Sequence, residues 1–297
     1  MLERLSKCPL CKSGLFLNHS EITDYAVSKE TFILCKCSNC ELLFTNPRPN
    51  QEKIGPYYNF PEYFSHEDKA KNFTQWIYQK VRNYSISKKV QSIEQLKKSG
   101  RLLDYGCGTG EFLNAAKKRG WKIAGIEPNE KARKQANLKL HNKVKASIEE
   151  IKKDYTYDVI TLYHVLEHIH DLRKTVKNLL NHLKSNGYLI IAVPNHESWD
   201  GKNYGKFWAG WDIPRHLYHF NLASMNKFKE EFDLEIVEVK PMKFDSFYVS
   251  LLSEGYMDKS SSLLSRYWTA FQKGLKSNSS AKSPGQFSSN IFVFQKK

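Results

Sequence analysis

Six cysteines offer the clearest chemistry in this sequence. Four of them form two Cys-x₂-Cys pairs, Cys8 with Cys11 and Cys37 with Cys40. Each pair forms a tight knuckle whose thiolates can face one metal ion, and two such pairs about 25 residues apart are typical of a zinc ribbon. Cys35 is the odd one out, because pairing it with Cys40 needs a looser spacing. We therefore predict a zinc site with these four ligands, and a structural role, since four thiolates leave no open position for water.

A glycine-rich turn supplies the second chemistry. Gly106, Gly108 and Gly110 follow Asp104 at every second position, between an apolar strand-like run and the start of a helical pattern. Glycine is needed where the backbone bends through positive φ or lies against a ligand without a Cβ. A helix that begins there points free N–H groups into the same crevice. The spacing differs from the dinucleotide fingerprint G-x-G-x-x-G, because Glu111 stands where that fingerprint has its third glycine.

The run Asp-x-Gly-x-Gly-x-Gly resembles motif I of the class I S-adenosylmethionine (SAM) methyltransferases. SAM has no pyrophosphate, so the resemblance implies a turn that lets a methionine moiety and a ribose lie against bare backbone. The alternative is a glycine turn that binds nothing, and the rest of the chain argues against it. The turn thus contributes these residues to the hypothetical cofactor site: Asp104, Gly106, Cys107, Gly108 and Gly110.

Two further positions complete the expected cofactor contacts at the next strand ends. Glu127 closes the second strand-like run seventeen residues after Gly110. A carboxylate there can accept hydrogen bonds from both ribose hydroxyls, and it also fits the methyltransferase pattern. After the third strand many relatives have an aspartate for the adenine amine. This chain has Ser147 there, so that serine or backbone amides are expected to meet the adenine.

Residues 163–168, Tyr-His-Val-Leu-Glu-His, follow the fourth strand. This run resembles the corresponding segment of small-molecule methyltransferases, including the O-methyltransferases of quinone biosynthesis. It is not the Asn-Pro-Pro-Tyr segment with which other methyltransferases grip a flipped base. The resemblance implies that Tyr163 and His164 lie at the cofactor, with His164 facing the methyl-transfer site. Glu167 and His168 are expected to pin the loop as a polar pair.

Residues 212–220, Asp-Ile-Pro-Arg-His-Leu-Tyr-His-Phe, end a long insertion after the fifth strand. Arg215 can hold an anion bidentately, and His216 has a pKa range suited to accepting a proton. The run is similar to one in a bacterial family that joins a four-cysteine zinc module to a class I methyltransferase domain. It resembles more loosely a loop of sugar-nucleotide C-methyltransferases, which have His-Glu-His in place of Arg-His-Leu. We expect His216 to deprotonate the acceptor, with His164 and His219 as alternatives.

The same insertion is rich in aromatic residues. A loop of this length beyond the carboxyl end of a strand is usually functional. Aromatic side chains there can stack on a ring or on a sugar face. The aromatic residues are Trp199, Tyr204, Phe207, Trp208 and Trp211.

Alternating strands and helices must position these groups. From residue 101 to 195 strand-like runs alternate strictly with helical patterns, which requires parallel strands with right-handed crossovers. A sixth strand, further helical material over residues 245–289, a low-complexity loop at 277–283 and a last strand follow. In relatives the last strand inserts antiparallel between the fifth and the sixth. The expected fold is α/β: a Rossmann-like, seven-stranded, mostly parallel sheet with helices on both faces, plus a small N-terminal zinc ribbon.

The expected domain order follows the chain. Residues 1–49 form the zinc-ribbon module, 50–99 an aromatic linker and helical cover, and 100–297 the methyltransferase domain with its insertion at 196–221. A helix-prone stretch at 69–99 is expected to cover the sheet. The linker aromatics either pack between modules or form a lid whose tyrosine hydroxyls reach the cofactor or substrate. They are Tyr57, Tyr58, Phe60, Tyr63 and Phe64.

Length and composition limit the classes of protein. A chain of 297 residues with 40% hydrophobic and 13% aromatic residues is long enough for one α/β domain plus a small extra one, and it is not a disordered chain. No stretch approaches the roughly 20 apolar residues of a membrane span. The first seven residues have no apolar signal region, so we expect a cytoplasmic protein. The formal charge of +15 indicates an anionic small molecule, nucleic acid or anionic membrane surface as partner, or simply a lysine-rich surface.

Together these features predict SAM-dependent methyl transfer. Because the sulfonium is already a strong electrophile, the protein mainly aligns the reactants and supplies a base. The favoured acceptor is a small molecule, a sugar or sugar nucleotide of glycan or natural-product biosynthesis. The alternative is an RNA methyltransferase whose zinc module and lysines grip phosphates. A third hypothesis is a methyltransferase-like scaffold without activity that acts as a binding partner.

Overall fold

The computed structural model describes residues 2–59, 73–258, 260 and 262–297, with the helical backbone alone for residues 73–78. Phe60, Tyr63 and Phe64 of the aromatic linker, and residues 69–72 of the helix-prone stretch, lie outside the described residues. The strands are β1 (Leu2–Glu3), β2 (Phe16–Thr23), β3 (Thr31–Cys37), β4 (Leu43–Thr45), β5 (Arg48–Pro49), β6 (Arg101–Tyr105), β7 (Lys122–Ile126), β8 (Val144–Lys145), β9 (Tyr157–Tyr163), β10 (Leu183–Pro194), β11 (Tyr218–His219), β12 (Leu234–Pro241) and β13 (Ser289–Lys296). The helices are α1 (Phe73–Leu96), α2 (Glu111–Lys118), α3 (Glu130–Leu140), α4 (Leu172–Asn181), α5 (Trp199–Tyr204), α6 (Leu222–Glu231), α7 (Asp245–Met257) and α8 (Leu263–Ser280).

The larger sheet has seven strands in the order β12-β13-β10-β9-β6-β7-β8. β6 pairs in parallel with β7 and with β9, and β7 pairs in parallel with β8. Consecutive side chains of the central strands are buried, such as Leu102 and Leu103 in β6 and Val159 and Ile160 in β9. Such runs are typical of parallel strands covered on both faces. The predicted α/β fold is confirmed, and the last strand lies between the fifth and sixth strands of the sheet as expected.

The smaller sheet has four antiparallel strands in the order β11-β4-β3-β2. Its edge strand β11 comes from the end of the insertion and pairs Tyr218 with Phe44 and His219 with Leu43. The sequence-distant insertion therefore completes the sheet that begins in the N-terminal module. A third, two-stranded sheet joins β1 and β5.

The aromatic residues of the insertion build a core rather than a stacking surface. Tyr204, Trp208 and Trp211 are buried, with Trp208 only 2% exposed. They pack in one cluster with apolar side chains of the smaller sheet, Ile22, Phe32, Leu34 and Leu43. The expectation that these three rings stack on a ligand is therefore wrong, because their faces are covered by the protein itself. Burial of such large side chains is worth about 1.5–3 kcal/mol each.

The predicted loop at residues 277–283 is wrong at its beginning, because α8 continues to Ser280. Ser277 is buried, and its hydroxyl donates to Oδ1 of Asp200 at 2.6 Å. Ser288 and the indole of Trp208 donate to Oδ2 of the same carboxylate, at 2.7 and 2.9 Å. A buried carboxylate needs such donors, so these serines serve as hydrogen-bond donors inside the protein.

The chain divides into two compact units, each assembled from three segments. The predicted boundaries at residues 49 and 99 follow the order of the chain and stay predictions. Among the described residues no helix has the length and apolar character needed to cross a lipid bilayer. The first unit comprises Met1–Ser65, Leu166–Arg173 and Ala192–Phe292, and the second His66–Val165, Lys174–Ile191 and Val293–Lys297.

Candidate functional site

The turn after β6, in the second unit, lines an open space with backbone. Gly106, Gly108 and Gly110 have φ values of 75°, 54° and 79°, in the left-handed region that favours glycine. A Cβ on Gly106 would lie 2.5 Å from a methyl of Val165, and one on Gly110 would lie 2.7 Å from Cδ1 of Leu140. A Cβ on Gly108 would have no described atom within 4 Å. Packing therefore requires the outer two glycines, while Gly108 leaves bare backbone where a ligand can lie.

Glu127, directly after β7, meets this turn. Its Oε2 accepts a hydrogen bond from the Gly108 amide at 2.8 Å, and its Oε1 accepts one from the Asn129 amide, also at 2.8 Å. Arg133 donates to the Glu127 carbonyl oxygen and so fixes the chain after the strand. Each carboxylate oxygen can accept more than one hydrogen bond. The predicted acid and the predicted turn thus lie together, with acceptor capacity left for a ligand.

Asp104 and Cys107 lie beneath the turn. Oδ1 of Asp104 accepts a hydrogen bond from the hydroxyl of Thr161 on the neighbouring strand at 2.6 Å. Burial raises the pKa of Asp104 to about 7, against the lowering effect of this hydrogen bond. Burial also raises the pKa of the Cys107 thiol, whose sulfur would lie 2.7 Å from a Cβ on Gly125. Asp104 is buried and Cys107 is half-buried, and they contact β9 and β7.

Ser147 lies after β8, at the same edge of the sheet as Glu127. It precedes a short 3₁₀-helix, Ile148–Glu150, and takes part in a capping box with Glu150. The Glu150 carboxylate accepts the Ala146 and Ser147 amides at 2.9 and 3.1 Å. These contacts order the segment, and the adenine contact of Ser147 stays a prediction.

Tyr163 ends β9, and His164 follows it directly. His164 has a φ of 57°, an unusual conformation for a residue other than glycine and one that is enriched at functional sites. The buried Tyr163 hydroxyl has no hydrogen-bond partner among the described residues. The ring of Tyr163 meets Phe112 edge-on at 5.4 Å, and Nζ of Lys89 lies 4.0 Å from its centroid. Lys89 was not predicted, because nothing in its helical pattern marks it.

The four predicted cysteines come together in the first unit. One sulfur of each lies within 4.8 Å of all the others, and the Sγ–Sγ distances are 3.6 Å for Cys8–Cys40 and for Cys11–Cys37. Zinc bound tetrahedrally at about 2.3 Å would separate its sulfurs by about 3.8 Å, so this donor set fits that ion. The Cys40 thiol lowers the pKa of Cys8 to about 5. Cys35 lies outside the group, and its thiol donates elsewhere.

Arg215 does not offer its guanidinium to an external anion, which corrects the expectation. Its Nη2 and Nη1 donate to the two carboxylate oxygens of Asp24 at 2.9 and 3.3 Å. Nε donates to Oδ1 of Asp212 at 2.9 Å, and Nη1 also donates to the carbonyl of Tyr57. The side chains of Arg215 and Asp24 are 4% and 0% exposed. The bidentate partner is therefore a carboxylate of this chain, and Asp24 carries no sequence signal that links it to Arg215.

His216 lies at the centre of a buried polar cluster. Its Nδ1 is 3.0 Å from the carbonyl oxygen of Gly210. Its Nε2 lies 3.8 Å from Oδ2 of Asp212 and 4.0 Å from Oε1 of Glu167. The ring of His168 meets that of His216 edge-on at 4.7 Å. Burial acts to raise the pKa of Asp212, but the neighbouring His216 and Arg215 lower it overall.

His168 and His219 flank this cluster. Nδ1 of His168 lies 3.0 Å from the carbonyl oxygen of Arg215 and 3.0 Å from the Tyr58 hydroxyl, and burial lowers the pKa of His168 to about 4. His219 is buried against Trp211, and its Nε2 has no hydrogen-bond partner in the described part of the chain. Burial holds the pKa of His219 well below its ordinary value. Of the three predicted bases, His216 and His219 thus belong to the first unit and His164 to the second.

Comparison with known proteins supplies the family context. A family model described as a methyltransferase domain matches residues 78–239. The ubiquinone biosynthesis O-methyltransferase of Rickettsia akari (strain Hartford) is 27% identical over 161 residues, which cover 48% of this chain and 62% of that protein. The one of Rickettsia prowazekii (strain Madrid E) is 24% identical over 188 residues, covering 58% and 69%. The chain therefore spans somewhat less than two thirds of the first of these relatives.

Solved structures give more distant likenesses. A putative sarcosine dimethylglycine methyltransferase from Galdieria sulphuraria superposes with a TM-score of 0.49 at 14% sequence identity. The match covers 73% of this chain and 85% of that one.

Proposed function

The chain belongs to the methyltransferase-domain family, and from this we propose that it transfers a methyl group from SAM to a small-molecule acceptor. The observation that carries the proposal is the meeting of Glu127 with Gly108. A carboxylate stands there beside bare backbone at the ends of two parallel strands, within the matched part of the chain. That combination suits a nucleoside whose ribose is held by a carboxylate and whose methionine part needs no phosphate cradle.

The proposed cofactor site follows the carboxyl ends of β6, β7, β8 and β9. Glu127 accepts the ribose hydroxyls, and the glycine turn lies against the methionine part. Ser147 or neighbouring amides meet the adenine, and Tyr163 and His164 close the edge at β9. The remaining residues proposed for this site are Asp104, Gly106, Cys107, Gly108 and Gly110.

We propose that the four-cysteine cluster holds a structural zinc ion. The sulfur spacing and the all-thiolate donor set support this assignment. Zinc there would hold the Cys8–Cys11 turn to the end of β3. Such a small module has little apolar surface to bury and benefits from a metal staple.

For the acceptor we propose a sugar or sugar nucleotide, supported by the net charge of +15, which favours anionic ligands. The name of the Rickettsia relatives favours a second candidate, a hydroxyl group on a quinone precursor. The quinone-precursor candidate has an oxygen as acceptor atom, and such an oxygen reacts faster once its proton is removed.

Of the three histidines proposed as base, His216 has the strongest geometric support, ahead of His164 and His219. Its Nδ1–H donates to the Gly210 carbonyl, which leaves the lone pair on Nε2. The carboxylates of Asp212 and Glu167 face that nitrogen and would stabilise the imidazolium formed on proton transfer.

The test has two steps. Calorimetry with SAM should detect one binding site per chain, and Glu127→Ala should weaken it strongly. A screen of nucleotide sugars, hydroxylated quinone precursors and bulk RNA for SAM-dependent methyl incorporation should then show transfer to one of the small-molecule classes. Absence of SAM binding would overturn the proposal in favour of a scaffold, and incorporation into RNA with steeply salt-dependent affinity would replace the small-molecule acceptor.

A further inference from the structure

We propose that Glu167, His168 and His216 form a divalent-metal site, separate from the four-cysteine cluster. One ligand atom of each of the three residues lies within 4.8 Å of the other two. Two imidazoles and one carboxylate form a ligand set that suits zinc, iron and manganese and leaves coordination positions open. All three residues belong to the first unit, so the site is complete within it.

The hydrogen bond of His216 directs a lone pair to the meeting point. A carbonyl oxygen can only accept, so Nδ1 of His216 carries the proton that it donates to Gly210. Nε2 is then a lone-pair nitrogen in the neutral ring. The carboxylate oxygens of Asp212 and Glu167 nevertheless face it at 3.8 and 4.0 Å. The lone pair on Nε2 and the negative carboxylates repel one another, and a cation bound between them would stabilise the arrangement.

His168 has the same tautomer. Its Nδ1 lies 3.0 Å from the Arg215 carbonyl oxygen, so this nitrogen carries the proton and Nε2 keeps its lone pair. Metal-bound histidines characteristically donate their other ring N–H to a backbone carbonyl or a carboxylate, which fixes tautomer and ring orientation. Both imidazoles of the cluster have that second contact.

The supporting backbone is held firmly. The amide of Leu217 donates to the Glu167 carbonyl at 2.7 Å, which joins the two ligand-bearing segments. Arg215, next to His216, is fixed by Asp24 and by Oδ1 of Asp212, so that Oδ2 of Asp212 faces the histidine. Rigid support of this kind reduces the ordering cost of binding an ion. Asp212 is placed to serve as an outer partner of the bound ion.

A bound ion would take up the Nε2 lone pair of His216, so in the metal-bound protein the base role proposed for His216 would pass to His164 or His219. A metal-bound hydroxyl is acidified by the ion itself. The inference concerns metal binding and stands independently of the proposed acceptor. Its test therefore measures metal content rather than turnover.

The experiment strips the purified 297-residue chain with a chelator and reloads it with Co²⁺. Elemental analysis should then find two cobalt ions per chain. Absorption spectroscopy should show an intense thiolate-to-cobalt band from one ion and the weak absorption typical of nitrogen and oxygen ligands from the other. His216→Ala should retain the thiolate band and lose one equivalent. His19→Ala, an exposed histidine of the same unit, should retain both.

A second variant tests the hydrogen bonds behind the ligands. Tyr58→Phe removes the hydroxyl beside Nδ1 of His168 and should weaken the second ion about 10-fold, the low end of the effect of such outer contacts. One equivalent in the wild type, bound by thiolates alone, would overturn the proposal. Two bound cobalt ions per chain in both His216→Ala and His168→Ala would also overturn it. If either variant fails to fold, Glu167→Gln takes its place in the test.

Discussion

The glycine turn of the second unit and the His216 cluster of the first unit are built in opposite ways. The turn occupies residues 104–110 and meets Glu127 one strand later, and its contacts are largely backbone amides. The cluster draws on side chains from four separated places, represented by Asp24, Tyr58, Glu167 and His216. The residues of the first kind of site lie in a short contiguous sequence motif. The second exists only after distant segments have folded together.

This difference has energetic consequences. The turn depends on backbone conformation, and its glycines allow φ values that other residues adopt only with strain. The cluster depends on buried charges, of which Arg215 and Asp24 are nearly inaccessible to water. Removing one member of a buried charge pair costs far more than the pair contributes over an apolar replacement. Side-chain substitutions should therefore damage the stability of the first unit more than that of the second.

The largest effect is expected from Cys37→Ser. It removes one of four ligands, and structural zinc in small modules binds with about 10–16 kcal/mol. The variant should lose the zinc ion of the four-cysteine cluster, and its apparent unfolding free energy should fall by at least about 5 kcal/mol. Zinc content and urea unfolding followed by circular dichroism measure both. Cys35→Ser is the matched control, because Cys35 lies outside the ligand group, and an equally large loss there would contradict the assignment.

The next largest effect is expected from Asp24→Ala. The guanidinium of Arg215 would stay buried without its bidentate partner, which costs about 3–5 kcal/mol of unfolding free energy. The double variant Asp24→Ala/Arg215→Met should recover part of that loss, since it removes the buried charge as well. Asp154→Ala changes an exposed aspartate and should stay within about 0.5 kcal/mol of the wild type. A double variant less stable than Asp24→Ala would show that the charge is not the cause.

The parts of the molecule that were predictable are those with short-range patterns. The parallel strands of the seven-stranded sheet follow from alternating strands and helices with right-handed crossovers, and the place of the last strand follows from the family resemblance. The grouping of four cysteines follows from the spacing of two pairs, and the nearness of Glu127 to the glycine turn follows from two strand ends that must meet at one edge. In each case the chemistry lies in residues near one another in sequence or at equivalent strand ends.

The parts that were not predictable depend on long-range packing. Trp208 and Trp211 are residues typical of a loop that stacks on ligands. Because β11 pairs with the smaller sheet, their segment packs against that sheet and both side chains lie in its core. Arg215 is a residue type typical of anion-binding sites, but its guanidinium binds the carboxylate of Asp24, which is 191 positions away in the sequence. Ser277 lies in a serine-rich run typical of a loop, yet it donates to the buried Asp200. Residue type alone cannot tell an internal partner from an external one.

Glu127→Ala tests the contiguous site directly. The substitution removes both acceptors proposed for the ribose hydroxyls, and hydrogen bonds to charged groups contribute about 1.5–3 kcal/mol each. SAM affinity should fall about 100-fold in calorimetry, since 1.4 kcal/mol corresponds to tenfold. Glu130→Ala, three positions later and exposed on the first turn of α3, should bind SAM as the wild type does. Equal affinity in both variants would remove Glu127 from the cofactor site.

The smallest effect is expected from Tyr163→Phe, and its sign is informative. A buried hydroxyl without a partner costs about 1–3 kcal/mol, and the Tyr163 hydroxyl has none among the described residues. Without cofactor the variant should therefore be about 1 kcal/mol more stable than the wild type. If that hydroxyl meets SAM, the same variant should bind SAM a few-fold more weakly.

Tyr204→Phe separates this explanation from a general effect of removing a buried tyrosine hydroxyl. The Tyr204 hydroxyl donates to Oε1 of Glu254 at 2.9 Å, so its loss should reduce the unfolding free energy by at least about 1.5 kcal/mol. Opposite signs in the two variants, read from urea unfolding, would show that the site at the end of β9 keeps an unsatisfied group for its ligand. Destabilisation by both would mean that the Tyr163 hydroxyl is satisfied in the free protein, and the contiguous site would then depend on buried side chains as the His216 cluster does.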